Sequence, residues 1–389
     1  MKKTFFTSLI FVLVIFLFSA CDDPVFFRVS QAQKIRDAFI GGSPTNFVVF
    51  KKVMYVASGK SMYKYEKNDQ DKAEWKRWGE TFNDKIVSLA VTEEYLYALL
   101  LGNSGSAKVR RYTLDNDNNV TDRTDVALTD VQSIYSAGNV LFICVRIYIN
   151  SHKTNNSYYY SIYHLQDGSI SPTLFSTDKD FKAVLNGAAF DGTNYYLCTN
   201  TAGIFYANDP PGNTLTSVDG SSVGFTGIIT LDDDTVVAIS RGGTLYKITT
   251  DEITSISSFS NSSHRSNNGS LAILRNSDGD SILLLAGRQE SLTYSTTAGY
   301  TYGYLELQLD ETTGGIKDGA SFTDPGRGEV SSIQSYDTYV SSLGKNPVNH
   351  IIQAPYEIDE EMTLFASTQQ YGVWSYRERN GKMEWNAED

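Results

Sequence analysis

A six-residue apolar run that recurs seven times constrains this chain more than any other feature. Its cleanest copy is Thr235 to Ser240. Before it stand Phe225 to Thr230 and the acidic turn Asp232-Asp233-Asp234; after it come Arg241-Gly242-Gly243, Thr244 to Ile248, and an extended run from Ile253 to Phe259. Four extended segments separated by turn residues predict one antiparallel sheet of four strands. Equivalent runs are Val53–Ser58, Tyr95–Leu100, Val140–Val145, Asn194–Thr199, Ser281–Ala286 and Met362–Ser367. Their third residues are Tyr55, Tyr97, Phe142, Tyr196, Val237, Leu283 and Leu364. The first six follow one another at intervals of 41 to 54 residues, and the last interval is 81. Runs apolar on both faces belong to sheets stacked between other sheets.

The third strands repeat as well, in Met62–Tyr65, Val109–Tyr112, Ile204–Tyr206, Leu245–Ile248 and Val373–Tyr376; short fourth strands include Glu74–Trp78 and Lys382–Trp385. A period of roughly 40 to 50 residues with four strands per unit resembles a β-propeller. The resemblance is to the architecture, because neither the Gly-His and Trp-Asp signatures of WD repeats nor the aspartate box of sialidases is present. In plan the chain is similar to the propeller lipoprotein of the bacterial outer-membrane assembly machinery, without a shared motif. The expectation is an all-β chain, a seven-bladed β-propeller of four-stranded blades, with eight blades as the alternative that the 81-residue interval leaves open. Ile333, Tyr336, Tyr339, Val340 and Leu343 stand at helical spacing before Gly344, which predicts a short helical insertion before the last blade.

The amino terminus reads as an address. Lys2-Lys3, an apolar run from Phe5 to Phe18, and Ser19-Ala20-Cys21 make a secretory leader too short to span a membrane permanently. Phe18-Ser19-Ala20-Cys21 resembles a relaxed bacterial lipobox of the spirochaetal kind, with Phe18 where leucine is usual. That resemblance implies lipidation of Cys21 and a membrane partner through the lipid anchor, because two or more acyl chains suffice for stable attachment. The organisation expected is a lipoprotein signal peptide over 1–20, a tether over 21–43 and the propeller over 44–389, located in the bacterial cell envelope at the outer membrane, facing the periplasm or the surface. Val25–Val29 in the tether is a candidate closing strand for the ring. Cys144 and Cys198 occupy similar positions in neighbouring units, too far apart for a disulfide, and read as small buried hydrophobes.

Chemistry is sparser. A net charge of −12 argues against nucleic acid, which needs basic patches. The loops joining second to third strands share one face with the links between blades, and the insertions gather there: 146–157 with Arg146 and Tyr148, 288–303 with Arg288, Tyr294, Tyr300 and Tyr302, and 323–347. Tyrosine offers contact area at low entropy cost, so these are candidate recognition loops, with ordinary loop drift as the bland alternative. The starts of the innermost strands align at Asn46, Val87, Gln132, Asn186, Thr226, Ser270 and Asn349. These six polar side chains either ring a ligand site at the channel mouth or satisfy backbone groups across the channel.

Nothing assembles a catalytic set, and no cofactor or metal is expected. His152, His164, His264 and His350 are scattered, Gly220 to Gly224 imitates a nucleophile elbow without the following helix, and Asp115 to Asn119 begins like a calcium loop but has Val120 where glycine is required. The reading is a lipid-anchored propeller that binds a protein or polysaccharide partner on its inserted face. The alternative is a propeller hydrolase or lyase acting on carbohydrate, with carboxylates and tyrosines around the channel mouth, which a pair of carboxylates facing one cleft would favour.

Overall fold

Burial on both faces explains why the repeated runs become the second strand of each sheet. Val53–Ser58, Leu96–Leu101 and Val236–Ser240 place nearly every side chain in the core. Each fully buried aliphatic or aromatic side chain there contributes about 2 kcal/mol. The computed structural model describes residues 39–67, 73–78, 82–149, 158–175, 183–208, 212, 214–219, 223–258, 266–276, 278–291, 303–323, 343, 348–354, 364–369, 371–379 and 382–388.

Every sheet is antiparallel and built from consecutive strands, and there are seven. The chain is therefore a seven-bladed β-propeller, and the eight-bladed alternative falls. Blade 1 runs Val48–Phe50, Val53–Ser58, Ser61–Lys67, Ala73–Arg77, and blade 5, holding the cleanest repeat, runs Phe225–Thr230, Val236–Ser240, Thr244–Ile248, Ile253–Ser258. Blade 6 departs from the pattern. It has three full strands, Ser266–Arg275, Ser281–Ser291 and Gly303–Gln308, and its fourth is reduced to Thr323 bridged to Glu306. Of the expected helix over 331–343 only Leu343 is among the described residues, buried between blades 6 and 7, and the candidate strand Val25–Val29 lies outside them.

Apolar clusters fill the seams between successive blades. Tyr97, Leu99, Ile134 and Ile143 join blades 2 and 3; Phe142, Cys144, Leu185 and Leu197 join blades 3 and 4; Cys198, Phe225 and Ala238 join blades 4 and 5. Cys144 and Cys198 are both free and buried. Burial pushes the Cys144 thiol up to about 11 and raises that of Cys198 as well, so neither is a thiolate at neutral pH.

Among the described residues no strand is exchanged between the first and last blades. Blade 7 is Val348–Gln353, Leu364–Thr368, Val373–Arg379 and Lys382–Ala387, in chain order. The ring closes through an aromatic cluster in which Phe365 of blade 7 meets Tyr65 at 4.8 Å, Trp75 at 5.5 Å and Phe47 at 6.3 Å. Residues 39–42 add a short clasp: Val373 N donates to the Ile40 carbonyl at 3.1 Å and Gly372 N to the Gly42 carbonyl at 2.9 Å.

Candidate site at the axial cavity

Each innermost strand carries one extra residue near its start. The register steps between Ile86 and Ser88, Leu185 and Gly187, Phe225 and Gly227, and Val348 and His350, leaving Val87, Asn186, Thr226 and Asn349 as the bulged residues. In blade 3 the bulged residue is Gln132, and in blade 6 it is Gly269. Blade 1 gains its extra residue between Pro44 and Val48. A bulge bends the strand and turns adjacent side chains the same way, so each blade presents two successive residues to the axis. Ser270 thus stands one place beyond the position that alignment assigned to it.

The bulges surround a cavity of about 410 Å³ lined, among others, by Asn46, Val87, Ser88, Gln132, Ser133, Asn186, Ser270, Asn349 and His350. Six of the seven aligned positions therefore meet at one place. Thr226 is the exception: its neighbours Gly227 and Ile228 line the cavity, while its hydroxyl donates back to the Ile239 carbonyl at 3.3 Å. The volume falls in the range of small-ligand sites, roughly 300–1,000 Å³.

Several of these side chains bind backbone in the next blade. Asn46 Nδ2 donates to the Leu89 carbonyl at 2.8 Å, and its Oδ1 accepts from Leu89 N at 3.0 Å and from Ser88 Oγ at 3.2 Å. Ser133 Oγ donates to the Leu185 carbonyl and Asn186 Nδ2 to the Phe225 carbonyl, both at 2.8 Å. Ser270 Oγ accepts from Ile351 N at 3.2 Å, and His350 Nδ1 accepts from Phe47 N at 3.4 Å. Five of the seven seams are thus tied by a cavity-lining side chain. The polar ring satisfies backbone groups, one of the two roles open to it, and it keeps capacity to spare: Gln132 Oε1 and Asn186 Oδ1 accept no hydrogen bond from the described residues and border the cavity.

The electrostatics are those of a neutral cup. No Asp, Glu, Lys or Arg is among the described lining residues. Burial holds the His350 imidazole down at about 4 and raises the Tyr135 hydroxyl, so both are uncharged at neutral pH. Among the described residues no group of three His, Cys, Asp or Glu side chains is placed to hold a metal ion.

The insertion residues have mixed outcomes. Arg146 and Tyr148 belong to the strand Val140–Tyr148, which pairs with Tyr158–Gln166 in a hairpin longer than those of blades 1, 2, 4 and 5. Arg288 sits on a strand between Asn268 and Gly303, its side chain outside the described residues, as are Tyr294, Tyr300 and Tyr302. Sequence reasoning missed Ser88, Ser133 and His350 because strict alternation points them away from the axis; only an inserted residue per strand turns them toward it. It also missed Tyr158, opposite Tyr148, although the run Tyr158-Tyr159-Tyr160 directly after the insertion is a visible signal.

No family model and no curated protein matches the sequence. Solved structures do. A GH74 enzyme from Niastella koreensis superposes with a TM-score of 0.58 at 15% identity, over 91% of this chain and 55% of that one. Virginiamycin B lyase from Staphylococcus aureus gives 0.52 at 11% identity, over 85% and 94%. The extracellular domain of a putative one-component system from B. thetaiotaomicron gives 0.53 at 16%, over 89% of this chain and 40% of that one. At such identities the likeness establishes the propeller fold and leaves the chemistry to the cavity itself.

Proposed function

We propose that this chain is a lipid-anchored binding module of the bacterial cell envelope, held at a membrane through acylated Cys21, whose axial cavity receives a polysaccharide segment. The observation that carries the reading is the cavity lining. Amides and hydroxyls with spare donors and acceptors, held rigidly by their bonds across the seams, match the hydroxyl groups of a neutral sugar. A nucleic acid partner disagrees with the net charge of −12. Glycoside hydrolysis at this cavity would call for a carboxylate pair, and the described lining supplies none.

The experiment is a titration of the protein with envelope oligosaccharides, comparing wild type with Gln132→Leu. Among the described residues the Gln132 side chain bonds only to the Asp130 carbonyl two residues away, so its loss spares the seams. Weakening by roughly tenfold with an unchanged melt supports the reading, as expected for one lost ligand hydrogen bond of about 1 kcal/mol or slightly more. Binding indifferent to Gln132→Leu removes the cavity as the site, and capture of a protein instead of any glycan would assign the partner to the other class. The anchor has its own test: Cys21→Ala should release the protein from membranes and stop its processing.

A further inference from the structure

The blade 3 hairpin carries a cation that no carboxylate of the described residues neutralises. The Arg146 guanidinium lies 5.3 Å from the Tyr148 ring centroid and 5.7 Å from that of Tyr158, and the two rings meet edge to face at 6.4 Å. Its Nε is buried without a hydrogen-bond partner, and no carboxylate of the described residues pairs with it. Two other arginines behave differently: Arg110 forks onto Asp125 at 2.5 and 3.1 Å, and Arg275 onto Asp232 at 2.5 and 2.6 Å.

The place of Arg146 matters as much as its lack of a counterion. Its backbone N–H donates to the Asp130 carbonyl at 3.1 Å, and the cavity-lining Gln132 amide donates to that same oxygen at 3.0 Å. One carbonyl therefore ties the arginine's backbone to the cavity wall. Beyond it, Ile149 is 59% exposed, which continues the apolar character of the tyrosine walls outward.

We infer that Arg146, walled by Tyr148 and Tyr158, takes the carboxylate of an acidic sugar unit, so that the polysaccharide entering the cavity carries uronic acid residues. This rests on the polysaccharide-binding reading above. A guanidinium held between aromatic rings has little rotamer freedom left to lose, and its planar fork matches a carboxylate in two parallel hydrogen bonds. The tyrosine rings offer flat faces for the C–H side of the sugar, while neighbouring hydroxyl-rich units meet the amides of the cavity. A chain of net charge −12 has no diffuse basic field to draw in a polyanion, so recognition of the acid falls to one placed cation.

The test is calorimetric titration of the full chain with an oligogalacturonate and with the same oligosaccharide carboxyl-reduced to its neutral form. Wild type should bind the acidic form about tenfold or more tighter, the scale of a charge-assisted pair. Arg146→Gln should abolish that preference and leave neutral binding intact; Arg146→Lys, which keeps the charge without the fork, should retain part of it. Equal binding of both forms by wild type, or a preference that survives Arg146→Gln, overturns the carboxylate site while the cavity reading stands. If neither oligosaccharide binds, both fall. Arg146-dependent binding of an acidic peptide without any oligosaccharide binding overturns the inference in favour of a protein ligand.

Discussion

His164 shows how a single residue can work against the fold. It is 5% exposed, its ring lies 4.5 Å from Phe175, and neither ring nitrogen has a hydrogen-bond partner. Burial holds its pKa below the ordinary 6.5, and burial does the same to His350, although the Nδ1 of that ring accepts from Phe47 N. Both therefore take up protons more readily when unfolded, so stability is full above about pH 6.5 and declines as pH falls below it. Replacing His164 by phenylalanine removes two unsatisfied polar atoms at nearly constant shape. Urea denaturation at pH 7 should show a gain of about 1–2 kcal/mol, with a shallower loss toward pH 5; a loss of stability at pH 7 would mean that the imidazole is satisfied. Asn46 is the opposite case. Asn46→Leu strips Leu89 of partners for both its N–H and its carbonyl, and should cost about 2–3 kcal/mol in the same measurement.

At the scale of the element, the seams depend on residues too small to notice. A Cβ on Gly224 would lie 2.0 Å from the Asn200 carbonyl oxygen, and one on Gly187 would lie 2.8 Å from Ile228 and 3.1 Å from the Cys198 sulfur. Blade 4 can approach blade 5 this closely only because both are glycine. Gly224→Ala meets rigid backbone and should destabilise by at least about 3 kcal/mol, whereas Gly187→Ala meets side chains that can shift and should cost about 1–2 kcal/mol, both read from urea midpoints. The second strands were legible in the sequence because burial on both faces writes an unbroken apolar run. The bulges were not, since an extra residue leaves no trace in polarity when the residues around it are a mixture such as Leu185-Asn186-Gly187. Nor was the loss of a full fourth strand in blade 6, because outer strands are short and exposed even where they form: Thr173–Leu174 and Thr216–Ser217 are two residues each. The polar ring was found by alignment alone, and its chemistry had to wait for the register that turns Ser88, Ser133 and His350 inward.

The molecule as a whole faces the problem of any ring, that its last blade must hold its first without a covalent bond. Propellers that exchange a strand solve this by making the two ends one sheet, but here, among the described residues, blade 7 is built of strands consecutive in the chain. Two features reinforce its seam with blade 1: the aromatic contacts of Phe365 with Tyr65, Trp75 and Phe47, and the clasp of residues 39–42 along the start of Val373–Arg379. Ile40 is wholly buried in that seam. Its side chain contributes about 2 kcal/mol, and the two backbone hydrogen bonds about 1 kcal/mol each. A soluble form lacking residues 1–37 should therefore melt as the longer form does, whereas one lacking 1–43 should melt several degrees lower, having lost about 4 kcal/mol where a ring is most vulnerable. Calorimetry of the two truncations separates the clasp from the candidate strand Val25–Val29. If the shorter truncation already lowers the melt as far as the longer one, the closing role belongs to the segment before residue 38, and the seam seen between Ile40 and Val373 is secondary to it.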